Sequence, residues 1–271
     1  MALPFYQINS FTTEVFAGNP AGVVMLSDWP TDKLLQAMAA EHNLAATAFF
    51  TTDFRPDCFR LRWFTPIAEL PLCAHGTLGA AWVISEAMNH PSDRFLFLTK
   101  AGDLPIERIG RGRFKMSFPL DPYVETEIDP EVAAALGKEP EAMLRARYSV
   151  AVYESEREVQ SIKPNIAAIN QCRHAKRPGA VVVTALAGPG QDYDFVSRFF
   201  APGVGVDEDP VTGSAHCILA KYWADRLGRS AVRGFQASNR GGFIDCEVAS
   251  DRVVFTGDAV PYSKGEILAA I

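Results

Sequence analysis

The sequence lacks the features that mark several large classes of protein. No apolar run approaches the roughly 20 residues of a membrane-spanning helix. Acidic residues outnumber basic ones by 32 to 26, and the net charge of −6 argues against a nucleic-acid binder. The five cysteines include no CxxC pair, so neither a disulfide framework nor a zinc site is indicated. No GxGxxG or GxxxxGKS/T motif supports hydride or phosphoryl transfer.

These absences lead to an expectation about the compartment. The first residues, 1–5, lack a basic segment followed by a long apolar one, so no secretory signal is expected. A cysteine pattern without a disulfide framework fits a reducing environment. We therefore expect a cytoplasmic protein with no membrane partner and no nucleic-acid partner.

Periodicity predicts both strands and helices. Strand patterns occupy 4–11, 21–27 and 45–52, and the third of these follows a helix that Asp32 is expected to cap and that ends near Asn43. Two further helices, small and apolar at their starts, are predicted over 76–88 and 214–226. Strands are also predicted over 94–100, 104–109, 113–118, 146–153, 180–185 and 243–256.

The composition changes after Pro119, where Asp-Pro and Glu-Pro pairs interrupt a polar stretch. We place the boundary between two lobes there. The N-terminal lobe is predicted over 1–119 and the C-terminal lobe over 120–261. A final strand over about 262–271 is expected to return to the first lobe.

Two segments of the chain resemble each other. Residues 62–66 (RWFTP) and 71–76 (PLCAHG) match residues 198–202 (RFFAP) and 210–215 (PVTGSA) in order and in residue type. Each pair encloses an acidic loop, and each precedes a small, apolar helix. Chance could produce so short a match. A true repeat would mean a duplicated α/β unit in which two strand-to-helix turns correspond.

Those two turns have the composition of an anion site. Helix N-termini carry unpaired N–H groups and partial positive charge, and small residues allow a ligand to approach the backbone. Ala74, His75 and Gly76 open one helix, and Gly213 and Ser214 open the other. A small carboxylate is the ligand that such turns would bind best.

Three side chains near the turns could take part in chemistry. His75 can exchange a proton near neutral pH, and a capping or packing role is the alternative. Asp209 can act as a base or hold an amino group, and a surface loop acid is the alternative. Cys73 corresponds to Thr212 in the repeat, which disfavours a racemase with two thiols and favours a buried structural cysteine.

Several segments together resemble one protein family. Residues 18–23 (GNPAGV) resemble its GNPxxV turn, and 64–79 (FTPIAELPLCAHGTLG) resemble its FTPxxELPxxGHxTLG segment. Residues 208–215 (EDPVTGSA) resemble its EDPxTGSA segment, and 236–242 (QASNRGG) are loosely similar to its QGxxxGRP segment. In this order, over most of the chain, they mark the phenazine-biosynthesis PhzF-like proteins, which share the fold of diaminopimelate epimerase.

The resemblance implies an α+β fold of two pseudo-symmetric lobes, each a barrel-like mixed sheet around a central helix, with the active cleft between them. It implies isomerisation by proton transfer, without cofactor or metal, in a homodimer. The expected substrate is a small amino or hydroxy acid, cyclic ones included. By position, His75 and Asp209 match polar residues that contact substrate. The carboxylate-binding turns correspond to Ala74, His75, Gly76, Gly213 and Ser214.

One departure bears directly on the chemistry. The family carries its acid–base glutamate in NLSExxF, whereas residues 43–49 here read NLAATAF, so Ala46 occupies the glutamate position. A second departure is Ala74 in place of a glycine. Three hypotheses remain. They are an isomerase in which Asp209 or His75 carries the proton, an inactivated isomerase, and a catalytically silent small-acid-binding or interaction protein. An amino-acid racemase is the least favoured enzyme.

Overall fold

The computed structural model describes residues 2–268 and divides the chain into two compact units. The first unit is the chain up to Phe118 together with the chain from Val254 on, and the second is Pro119–Val253. The predicted limits were 1–119 and 120–261, with a returning strand over about 262–271. The last part of that predicted strand, 269–271, lies outside the described residues.

The first unit begins with eight strands and two helices. They are β1 (Leu3–Ser10), β2 (Asn19–Met25), α1 (Asp32–His42), β3 (Ala46–Thr52), β4 (Cys58–Phe64), β5 (Glu69–Leu70), α2 (Ala74–Trp82), β6 (Arg94–Thr99), β7 (Gly102–Gly110) and β8 (Arg113–Pro119). A π-helical turn, Val83–Ala87, continues α2.

The elements of the second unit are β9 (Val124–Thr126), α3 (Pro130–Leu136), β10 (Ala142–Arg145), β11 (Ser149–Val152), α4 (Glu156–Ser161), α5 (Ile166–Gln171), β12 (Val181–Leu186), β13 (Phe195–Phe200), α6 (Gly213–Leu227), β14 (Ala231–Gln236) and β15 (Gly242–Ala249). A 3-10 turn, Pro202–Val204, follows β13. The last strand of the chain is β16 (Arg252–Ile267), most of which belongs to the first unit.

The sheet of the first unit closes on itself. Its strands pair in the order β1-β2-β3-β4-β6-β7-β8-β16, and β16 also pairs with β1, from Leu3 opposite Ile267 to Ser10 opposite Ala259. The short strand β5 pairs with β4 outside this order. Closure leaves neither β1 nor β16 as an open edge.

Helix α2 is the central helix of this unit. Every residue from Ala74 to Ala81 is buried, which small side chains permit. Gly79 shows how closely the strands approach, because a Cβ atom there would lie 3.2 Å from Val23 Cγ2 and 3.4 Å from Ala21 Cβ. Ala21 and Val23 therefore lie on the face of β2 that covers α2.

The second unit is built on the same plan. Its strands pair in the order β15-β14-β13-β12-β11-β10-β9. Helix α6 packs against β14 and β15 and buries all of its first eight residues. In each unit, two parallel pairings alternate with antiparallel ones: β2 with β3 and β4 with β6 in the first, β11 with β12 and β13 with β14 in the second. This recurrence confirms the predicted α+β fold of two pseudo-symmetric lobes.

Several local predictions need correction. The cap of α1 is Thr31 rather than Asp32, because Thr31 has an extended backbone and its hydroxyl accepts from the N–H of Leu34. The helix ends at Asn43, as predicted, and Asn43 adopts the left-handed conformation. The sequence patterns did not predict the six-residue helices α4 and α5, or strand β14. Within residues 2–268, no helix is both long enough and apolar enough to cross a membrane.

Candidate active site

The start of α2 combines small residues with a buried histidine. Cys73 precedes the helix in an extended conformation, and its side chain makes no capping hydrogen bond with the backbone N–H groups of the first turn. Gly76 is required for packing here, because a Cβ atom would come within 2.7 Å of Trp63 Cδ1. The first-turn N–H groups of Ala74, His75 and Gly76 are not capped by the Cys73 side chain, and such groups can hold an anion.

His75 is fixed by the two ends of the β1–β2 connection. Asn19 Nδ2 lies 3.2 Å from His75 Nδ1, and Ser10 Oγ donates to the His75 carbonyl across 2.7 Å. In the orientation that the Asn19 amide has here, its nitrogen donates, so Nδ1 accepts and the ring hydrogen lies on Nε2. Burial lowers the pKa of His75 to about 3, so the imidazole is neutral at physiological pH. Cys73 Sγ lies 3.5 Å from the same Nδ1.

Ala46 opens β3 and is completely buried. It pairs with Ala21 in the parallel register of β3 and β2, so the two side chains share a face of the sheet. That face covers α2, and Asn19, two residues before Ala21, contacts His75 from it. A longer side chain at position 46 would thus extend from the side of the sheet on which α2 and His75 lie.

Asp209 lies in the loop before α6 and is 8% exposed. Its N–H donates to the carbonyl of Phe199 on β13 across 3.0 Å. The hydroxyl of Thr212 donates to Asp209 Oδ2 across 2.5 Å. The carboxylate is therefore held by the residue that precedes α6, three positions later in the chain.

The start of α6 resembles the start of α2. Thr212 precedes the helix but gives no side-chain hydrogen bond to its first turn, because its hydroxyl is directed to Asp209. Gly213 and Ser214 follow and are buried. Ser214 Oγ lies 2.9 Å from the hydroxyl of Tyr148, and burial raises the pKa of that phenol, which stays neutral. Tyr148 was not among the site residues predicted from the sequence.

Gln236, which sequence reasoning did not single out as a site residue, joins these groups. Its Nε2 donates to the Asp209 carbonyl across 2.6 Å, and its Oε1 accepts from the N–H of Thr212 across 2.7 Å. The loose resemblance over residues 236–242 was the available signal.

Comparison with known proteins gives the family. The profile of the family described as phenazine biosynthesis-like protein matches residues 8–265. The chain belongs to this PhzF-like family. It is 42% identical to an uncharacterized isomerase of Pseudomonas aeruginosa, over 98% of this chain and 99% of that one. It is 34% identical to a human phenazine biosynthesis-like domain-containing protein, over 99% of this chain and all of the other.

A solved structure supports the fold. The crystal structure of a PhzF family phenazine biosynthesis protein from Enterococcus faecalis matches with a TM-score of 0.90 and 35% identity, over 99% of this chain and all of that chain.

The internal repeat of this PhzF-like chain extends to its hydrogen bonds. Arg62 binds both carboxylate oxygens of Glu69, at 2.8 and 2.9 Å, and Arg198 binds both oxygens of Glu208, at 2.8 and 3.0 Å. Each guanidinium also lies over a phenylalanine ring two residues later in its strand. The repeat read from the sequence is therefore confirmed as a structural one.

A second repeated bond supports the two helix starts. Thr77 Oγ1 donates to the carbonyl of Cys73 across 2.7 Å, and His216 Nδ1 lies 2.8 Å from the carbonyl of Thr212. A carbonyl only accepts, so His216 carries its hydrogen on Nδ1. Burial lowers the pKa of His216 to about 4, and this ring is neutral as well. Cys73 and Thr212 are therefore equivalent positions, as the repeat predicted.

The predicted site residues fall into two groups, one in each unit. His75, Ala74, Gly76 and Ala46 belong to the first unit, and Asp209, Gly213 and Ser214 belong to the second. Within residues 2–268, no group of three or more His, Cys, Asp and Glu side chains is arranged to hold a metal ion.

Proposed function

We propose that this PhzF-like protein is a cofactor-independent isomerase or epimerase. It moves a proton on a small carboxylate-bearing substrate, an amino or hydroxy acid that can be cyclic. The observation that carries the proposal is the Asp209 carboxylate, held by the Thr212 hydroxyl directly before the first turn of α6. The word isomerase in the name of the 42% identical relative adds support.

The substrate carboxylate is bound, in this proposal, by backbone N–H groups at helix starts. Each unit offers one such start, with Ala74, His75 and Gly76 in α2 and with Gly213 and Ser214 in α6. Partial positive charge at a helix N-terminus favours the carboxylate and the further negative charge that builds up on it when the neighbouring carbon loses a proton.

Asp209 is the better candidate for the proton carrier. His75 has a pKa of about 3 and its Nδ1 is engaged with Asn19, so it is a weak base at neutral pH. It acts instead as a neutral donor through Nε2. Ala46 has no ionisable group. Asp209 takes the proton from the carbon beside the substrate carboxylate, and the electron pair of the broken C–H bond moves into that carboxylate. The proton then returns to the same carbon or, in an unsaturated substrate, to another.

A test combines binding with solvent exchange. A panel of cyclic and linear amino and hydroxy acids is screened by thermal shift, since a ligand that binds the folded state raises Tm. Each binder is then incubated with the protein in heavy water. The proposal predicts deuterium in the substrate, and loss of that uptake in Asp209→Asn. Uptake that stays at the wild-type level in both Asp209→Asn and His75→Ala would overturn it.

One observation favours a second candidate function. The methyl group of Ala46 stands where the PhzF-like pattern has its acid–base residue, and it is fully buried. A catalytically silent protein that binds small acids would keep both helix starts and show a thermal shift without any deuterium uptake. An inactivated isomerase would behave in the same way and would recover uptake when Ala46 is replaced by glutamate.

Two further properties complete the proposal. We expect a homodimer, as the family resemblance implies, and a cytoplasmic location, as the cysteine pattern predicts. Light scattering coupled to size-exclusion chromatography tests the first, and fractionation of the source cells tests the second. A two-thiol racemase remains the least favoured alternative, because the position equivalent to Cys73 is Thr212, which has no thiol.

A further inference from the structure

Gln236 is completely buried at the end of β14. The parallel pairing of β14 with β13 sets it beside Ser197, and the next N–H, that of Ala237, donates to the Ser197 carbonyl across 2.8 Å. The backbone at Gln236 is thus fixed by the sheet. Its side chain reaches the loop that carries Asp209 and the start of α6.

The orientation of the Gln236 amide follows from its partners. Nε2 faces two oxygens, the Asp209 carbonyl at 2.6 Å and Thr212 Oγ1 at 3.1 Å, whereas Oε1 faces the N–H of Thr212 at 2.7 Å. Exchanging the amide oxygen and nitrogen would set two donors against each other and two acceptors against each other. Only one orientation satisfies all three contacts.

This orientation decides where the Thr212 hydroxyl hydrogen points. Because Thr212 Oγ1 accepts a hydrogen from Gln236 Nε2, its own hydrogen is directed to its other close partner, Asp209 Oδ2, at 2.5 Å. A hydrogen bond from a neutral hydroxyl to an ionised carboxylate is stronger than one between neutral groups. The chain of bonds runs from the Gln236 amide to the Thr212 hydroxyl and on to the Asp209 carboxylate.

We propose that Gln236 is a positioning residue, whose side-chain amide turns the Thr212 hydroxyl toward Asp209 and thereby fixes that carboxylate for proton transfer. The inference rests on the proposed function for its catalytic consequence. All of its partners are buried, so the amide cannot rotate without leaving polar groups unsatisfied.

The first experiment needs no substrate. The Thr212 hydroxyl proton, buried in a 2.5 Å bond to a carboxylate, should give a slowly exchanging proton NMR resonance, assigned by its absence in Thr212→Val. We expect it to disappear or shift in Gln236→Met and to persist in Ser238→Ala. The control removes the bond from Ser238 Oγ to the Pro210 carbonyl in the same loop. An unchanged resonance in Gln236→Met would overturn the proposal.

The second experiment measures deuterium uptake with an acid that the wild type exchanges. Introduced alone, Gln236→Met should slow uptake about tenfold or more. Added to Thr212→Val, it should slow uptake no further. Thr212→Ser, which keeps the hydroxyl, should retain most of the wild-type rate of uptake. Additive effects of the two substitutions would contradict a route through Thr212.

Two provisions keep the outcomes separable. If Gln236→Met does not fold, Gln236→Leu replaces it, since its side chain likewise cannot donate to the Thr212 hydroxyl. If the wild type exchanges no acid, the proposed function fails, whereas the hydroxyl resonance still decides whether Gln236 orients Thr212.

Discussion

Ala46 and Ala21 are paired in the parallel register of β3 and β2, and both side chains lie on the face of the sheet that covers α2. Asn19 contacts the His75 ring from the same face. The position at which the PhzF-like pattern has a glutamate thus lies on the face of the sheet that covers the central helix, but here it carries a methyl group.

Restoring an acid at this position should raise activity. Ala46→Glu is expected to increase deuterium uptake at least about a hundredfold for an acid that binds, because a positioned general base contributes that much. Ala46→Gln is the matched control, since it has the same size without an ionisable group, and it should give no gain. Similar rates for the two variants would show that position 46 does not reach the reacting carbon.

Burial of His75 should make the protein sensitive to mild acid. The unfolded chain binds a proton on this histidine below pH 6.5, whereas the folded chain does not do so until about pH 3, so stability falls as the pH drops between these values. His75 alone should lower the free energy of unfolding by about 2 kcal/mol at pH 5.

Urea unfolding at pH 7 and pH 5 measures this effect. His75→Gln should lose less stability on acidification than the wild type, although His216, with a pKa of about 4, still contributes with the same sign. Hydrogen bonds from Arg62 lower the pKa values of Glu69 and Asp32. Measurements that stay at pH 5 or above avoid the range in which these two carboxylates become protonated. An equal loss in variant and wild type would contradict a neutral buried His75.

The repeated ion pairs should contribute more than exposed ones. Arg198 is 12% exposed and also donates to the carbonyls of Val159 and Ile162, so Glu208→Gln leaves its charge poorly compensated. We expect a loss of about 1 to 2 kcal/mol in the free energy of unfolding. Glu107→Gln removes the partner of Arg94, which is 80% exposed, and should cost less than about 0.5 kcal/mol. Equal losses would show that both pairs are screened by solvent.

Local patterns were sufficient to find much of the fold and the helix starts. The helices predicted over 76–88 and 214–226 match α2 and α6 closely, because their small, apolar sequences follow a proline and permit burial on all sides. The repeat was visible because each half keeps its Arg, its aromatic residues and its Pro in order. The six-residue helices α4 and α5 were missed, although Ser155 and Glu158 form a capping box that marks the start of α4.

The support around Asp209 could not be read from local patterns. Gln236 is 27 residues away from Asp209 and reaches it only because β14 lies beside β13. Strand β14 itself was not predicted, since Arg233 and Gly234 interrupt its apolar residues. Tyr148 likewise meets Ser214 although 66 positions separate the two residues in the sequence. Such contacts depend on sheet order, which residue spacing does not encode.

The central claim is that Asp209 carries the proton in the absence of an acid at position 46. The most direct measurement is deuterium uptake from heavy water into a bound amino or hydroxy acid, compared between the wild type and Asp209→Asn. The account predicts uptake in the wild type and a loss of about a hundredfold or more in the variant. Equal uptake in the two proteins would contradict it.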